Sequence, residues 1–151
     1  MTDRLIIVDA ANVVGSVPDG WWRDRAGAAT RLRDRLAAAV AAGTAAVDVA
    51  GNDVAGNDVT GGTGALLGGG AVVLVVEGRA SGVPAVAGVR VVAAAGSGDD
   101  AIVDLVRAEA GRRRCLVVTA DRALRGRVAD LGADVTGPGA LLRELGGRSG
   151  S

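Results

Sequence analysis

The sequence predicts an α/β protein: one domain built on a parallel β-sheet flanked by helices on both faces. Three observations carry that expectation. The apolar run at 5–8 has the branched-aliphatic content of a strand buried on both sides, and 71–76, 89–93 and 115–119 read as further strands. Between them lie stretches with apolar residues at helical spacing, so strand and helix alternate along the chain. The 151 residues are 49% hydrophobic but only 1% aromatic, so the core must be Val, Leu, Ile and Ala. A chain of this length buries roughly 70% of its extended surface in one domain.

The first strand closes on Asp9, and a small-residue turn carrying Asn12 follows. Residues 15–24 hold Pro18, Gly20 and the Trp21-Trp22 pair and read as a loop. Over 26–42, Leu32, Leu36, Ala39 and Val40 recur at helical spacing, and Gly43 supplies a stop. Residues 44–70 are of low complexity, with a tandem duplication of Gly51-Asn52-Asp53-Val54 in Gly56-Asn57-Asp58-Val59. So many glycines make ordering costly, and the stretch reads as a Gly-rich mobile insertion in a domain spanning 1–145. Its Asn-Asp pairs lack the rest of a calcium-loop pattern.

The strand at 71–76 ends at Glu77-Gly78-Arg79, and that at 89–93 enters a small-residue turn over 94–98. A helix is expected over 99–110, with Ile102, Val103, Val106 and Ala110 on one side. Arg112-Arg113-Arg114 precedes the strand at 115–119. Asp121 opens another helix, with Leu124, Val128 and Leu131 inward and Arg122, Arg125 and Arg127 largely outward. Residues 132–136 read as a short edge strand, 138–145 as a last helix behind Pro138, and 146–151 as a disordered tail.

Charge and side-chain inventory remove several kinds of chemistry. Formal net charge is +0, so no global field draws in a polyanion and any such contact must be local. Every basic residue is Arg, with no Lys and no His, so no imidazole or amine serves as base, zinc ligand or Schiff-base former. The single Cys115 opens a strand and reads as a small core residue. No run of about 18 apolar residues occurs, and no signal-peptide pattern precedes the first strand, which leads us to expect a soluble, cytoplasmic protein.

What remains is a recurring figure, an apolar strand followed by an acid: Asp9, Glu77, Asp99 with Asp100, and Asp121. In a parallel sheet these strand ends share one edge, where open α/β sheets bind their ligands. Each acid has a plainer reading. Asp99 and Asp121 stand at helix starts, where a carboxylate caps free N–H groups, and Glu77 could simply solvate a strand end. Asp9 follows a fully apolar strand, where an acid has few structural uses; Asn12 could cap its own turn or orient Asp9. Together they suit divalent-metal chemistry, because crowded carboxylates repel unless a cation neutralises them.

Val8-Asp9-Ala10-Ala11-Asn12-Val13, Val76-Glu77, Ser97-Gly98-Asp99-Asp100-Ala101-Ile102 and Val117-Val118-Thr119-Ala120-Asp121-Arg122 together resemble the NYN branch of the PIN-like nucleases, closest to the bacterial YacP-like group. The resemblance implies a sheet of about five parallel strands, a Mg²⁺ or Mn²⁺ site and endoribonuclease-type activity on RNA. It implies Asp9, Asp99 and Asp121 as metal ligands and aligns Asn12 with the Asn of the first motif. Glu77 stands where relatives commonly place Asp, and Ala11 stands where an aromatic often precedes the Asn. On this reading Asp9, Glu77, Asp99 and Asp121 hold the ions and Asp100 assists.

Other site patterns fail. A haloacid-dehalogenase phosphatase needs a second acid where Ala11 stands, and a receiver domain or P-loop needs a Lys the chain lacks. For nucleic-acid contact, Trp21 and Trp22 could stack on bases or plug a helix against the sheet, while Arg79 and Arg122 each follow a site acid. The expected function is a metal-dependent ribonuclease. The alternative is a non-catalytic RNA-binding or ribosome-associated module of the same fold, with nucleotide hydrolysis as a third option. Monomer and homodimer both stay open.

Overall fold

β1 (Arg4–Asp9) lies at the centre of the sheet, with Leu5, Ile6, Ile7 and Val8 fully buried. The structure, a computed structural model, describes residues 4–16, 23–50, 70–80 and 82–150. After β1 come α1 (Ala10–Gly15), α2 (Arg25–Ala50), β2 (Gly70–Val76), a 3-10 turn (Gly78–Ala80) and β3 (Val89–Ala93). The chain continues through α3 (Gly98–Glu109), β4 (Arg114–Val118), α4 (Arg122–Asp130), β5 (Asp134–Thr136) and α5 (Pro138–Gly150). The sheet has five strands in the order β3-β2-β1-β4-β5, and every pairing is parallel. The expected α/β class and parallel sheet are the ones found.

Alternation along the strands splits the core in two. Ile6, Val8, Val72, Leu74, Val76, Leu116 and Val118 pack on the face covered by α1, α2 and α5, through Val13, Leu32, Leu36 and Leu141 among others. Leu5, Ile7, Val73, Val75, Cys115 and Val117 pack on the opposite face against Ile102, Val103 and Val106 of α3 and Leu124 and Val128 of α4. This two-sided burial explains the continuous apolar runs. Ala28 and Ala29 of α2 lie in the same core, which is filled by aliphatic side chains and Ala.

Three boundaries differ from the sequence reading. The expected turn after Asp9 is the six-residue helix α1, too short to show a period in sequence. α2 passes through Gly43 to Ala50; the cost of one helical Gly, about 1 kcal/mol, is met by the Ala-rich residues on either side. α5 extends to Gly150, across the stretch expected to be a tail. Of the expected insertion, 51–69 lies outside the described residues. Among the described residues no helix is long and apolar enough to cross a membrane.

Candidate functional site

The sheet order sets where a crevice forms. From β1 the chain moves to β2 and β3 on one side, then crosses by α3 to β4 and β5 on the other. β1 and β4 are therefore neighbours whose onward connections diverge, the switch point at which open α/β sheets keep their ligands. β1 ends on Asp9, and β4 ends at Val118, two residues before the Ala120-Asp121 corner. On the other side of β1, Glu77 follows β2, and Asp99 and Asp100 lie in the first turn of α3. The five acids marked in sequence thus occupy the carboxyl edge of one parallel sheet.

Thr119 joins the two sides of the switch point. It is fully buried, and its hydroxyl donates to Asp9 Oδ2 at 2.9 Å while accepting the Asp121 backbone N–H at 3.1 Å. Its own N–H donates to the Thr136 carbonyl of β5 at 2.9 Å, and its carbonyl accepts from Arg125 Nε at 2.9 Å. Asn12 closes the same corner from α1: its Oδ1 accepts the Ala120 N–H at 2.8 Å. Thr119 stands in the strand-end motif of the sequence, but its bond to Asp9 does not show there, and Arg125, an Arg on a helix face, gives no sequence signal at all.

The capping alternatives resolve residue by residue. Asp9 is the N-cap of α1, with Oδ1 accepting the Asn12 N–H at 3.4 Å. A short helix thus supplies the structural use that a fully apolar strand seemed to deny it. Asp121 caps α4 through Leu124 N–H at 3.0 Å. Glu77 does more than solvate a strand end: Oε1 accepts the Gly98 N–H at 3.1 Å. Gly98 permits that approach, since a Cβ there would stand 3.0 Å from Glu77 Oε2. Asp99 caps nothing, because Ser97 caps α3 through the Asp100 N–H at 3.3 Å.

Electrostatics connect these groups. Burial pushes the Asp9 carboxyl above its ordinary range; hydrogen bonds from Thr119 and the Asn12 N–H oppose this, and the charges of Asp99 and Glu77 add to it. The Asp99 carboxyl is raised by partial burial, then by Asp121 and Glu77, with Arg127 lowering it and Asp100 raising it again. Asp99 therefore feels carboxylates from both sides of β1. Burial also pushes the Cys115 thiol up, as expected of a core cysteine.

The donor set suits Mg²⁺ or Mn²⁺ chemically: all ligand candidates are hard carboxylate oxygens. Asp99 is free of capping, while Asp121 and Glu77 each engage one oxygen with a helix-start N–H. As the side chains stand, no three acids among the described residues are grouped closely enough to hold an ion. Sharing one would require them to draw together. Of the expected RNA contacts, Arg122 is the exposed first residue of α4, and Arg79 lies in the 3-10 turn after Glu77. Trp21 and Trp22 lie outside the described residues.

No protein-family model matches the chain, and no curated protein matches it in sequence. Its structure is similar to crystal structures of Rae1 (YacP) from Bacillus subtilis. One has TM-score 0.64 and 18% identity over 96% of this chain and 75% of that one. A point mutant of the same protein has TM-score 0.64 and 17% identity over 96% and 76%. The likeness shows a shared fold, the one implied by the strand-end motifs.

Proposed function

We propose that this protein is a metal-dependent ribonuclease that hydrolyses RNA phosphodiester bonds at the carboxyl edge of its sheet. Asp9, Glu77, Asp99 and Asp121 hold Mg²⁺ or Mn²⁺, with Asp100 at the margin. The observation that carries this reading is Asp99. It has no capping task, yet it stands in the field of Asp121 and Glu77, with Arg127 opposing and Asp100 adding to it, and its carboxyl is raised on balance. An acid placed against other acids without a structural role raises the energy of the fold unless a cation joins them. The likeness to Rae1 supports the reading at the level of fold.

When bound, the ions would supply an activated water and neutralise charge developing on the phosphate. The chain's own part is orientation. Thr119 directs Asp9 and fixes the backbone of Asp121 with one hydroxyl, and Asn12 anchors the corner between them. Burial of Asp9 keeps bulk water from that side of the site and strengthens its attraction to a cation. Glu77 ties the start of α3, and so the position of Asp99, to the end of β2.

One feature favours a second reading, a non-catalytic RNA-binding module. Asp9, Glu77 and Asp121 each already accept a helix-start N–H. Incubation with labelled single-stranded RNA and Mn²⁺, then with EDTA, separates the two. Products only in the presence of metal support the ribonuclease; binding without cleavage supports the module; an oligonucleotide that stays free and intact removes RNA from both readings.

A further inference from the structure

An edge carrying five acids repels a phosphodiester, so a strand of RNA approaching it needs a cation beside the acids as well as any metal between them. The arginines near this edge are not equivalent. Arg125 is committed to the protein, with Nε donating to the Thr119 carbonyl at 2.9 Å. Arg122 points from the exposed start of α4. Arg127, in the last turn of α4, reaches across to α3 and pairs with Asp100 Oδ1 at 3.1 Å. It is also the arginine whose charge acts on Asp99.

The pair is built to be exchanged. Its side chains are 46% and 70% exposed, and exposed ion pairs contribute little to stability. A single Arg127 nitrogen is engaged, by one carboxylate oxygen, and among the described residues Arg127 makes no other hydrogen bond. A guanidinium fork pairs with two oxygens of a carboxylate or a phosphate alike, but the Asp100 contact uses only one of its donors, so a phosphate engaged through two offers Arg127 more than Asp100 does here. Resting on Asp100 keeps the head group beside the acids. Sequence periodicity placed Arg127 on the outward face of its helix and gave no sign of this contact.

We propose that Arg127 is a substrate-binding residue, which leaves Asp100 to take a phosphate of the RNA strand next to the acidic edge. The proposal rests on RNA as the ligand, as argued above, but not on cleavage. Its test is a titration of a 5′-fluorescein single-stranded oligoribonucleotide, read by anisotropy in Ca²⁺ over a series of KCl concentrations, for wild type, Arg127→Ala and Arg127→Lys. Arg127→Ala should weaken binding about tenfold and make the salt dependence shallower by about 0.7 in log–log slope, one phosphate contact on a single strand. Arg127→Lys should restore the slope and only part of the affinity, because a point charge replaces the fork. In Mn²⁺ the Ala variant should raise KM with kcat within about twofold of wild type.

Unchanged affinity in Arg127→Ala overturns the proposal. So does weaker binding with an unchanged salt slope, which would mean that Arg127 acts by holding α4 to α3. If wild type binds without cleaving, catalysis fails while the same titration still decides Arg127; if wild type does not bind, both fall.

Discussion

On the β1–β4 side of the acidic edge, Asp9 and Asp121 are held by Thr119, Asn12 and the starts of two helices. Across β2, Asp99 and Asp100 hang from the first turn of α3, with an exposed arginine for company. The first side is tied down because Asp9, Asn12, Thr119 and Asp121 each hold at least one hydrogen bond across the corner, and losing the Thr119 hydroxyl leaves the buried Asp9 unmatched. The second side is adjustable because its bonds are few and wet. A site that must gather carboxylates around an ion can be fixed on one side only if the other can move, and the difference in bonding supplies that asymmetry.

Breaking the fixed side should have the largest effect. Thr119→Val keeps the shape but removes the hydroxyl, leaving Asp9 Oδ2 and the Asp121 N–H without their partner. The expected loss is about 2–4 kcal/mol in chemical denaturation, with Thr119→Ser retaining most of the stability. A loss in Thr119→Ser with little or none in Thr119→Val would mean that the methyl, rather than the hydroxyl, matters.

Asp9→Asn comes next. Asp9 accepts on both oxygens, from the Asn12 N–H and from the Thr119 hydroxyl. An amide must turn its NH₂ toward one of those donors, which costs about 1–2 kcal/mol and offsets the relief of removing a buried charge. The substitution is therefore less neutral than the near-isosteric shape suggests. Cleavage, on the proposed reading, is abolished.

These effects also mark what could be read from the chain. β1, β2 and β4 were legible because burial on both faces makes them continuous apolar runs, and Asp9, Glu77 and Asp121 because each ends or follows such a run. Asp99 was legible as an acid but not as an uncapped one, since whether Ser97 or Asp99 caps α3 depends on where the first turn begins. Thr119 was visible only as part of a motif; its partner Asp9 lies 110 residues away. α1 escaped because six residues show no period, and α2 overran Gly43 because Ala-rich neighbours carry a helix through one glycine.

A smaller effect should follow pH. The folded-state carboxyls of Asp9 and Asp99 are raised above their ordinary value, so just above about pH 4 the folded protein holds more protons than the unfolded chain. Their contribution to stability is therefore fully present below the unfolded value and is lost as pH rises through the folded values. Metal-free denaturation midpoints of wild type and Asp99→Asn, compared between pH 4 and 7, should show a shallower decline in the variant. An identical decline would remove Asp99 from the coupled set.

Asp99→Asn also gives the most direct test of the central claim, because Asp99 caps nothing and its loss should not unsettle the fold. Melting curves of wild type and Asp99→Asn are recorded with EDTA and with saturating Mn²⁺. Without metal the variant should melt at or slightly above wild type, since one repelling charge is gone. With Mn²⁺, wild type should rise by about 5–10 °C by mass action and the variant by much less. An equal rise in both proteins would show that Mn²⁺ binds without Asp99 and would contradict the account.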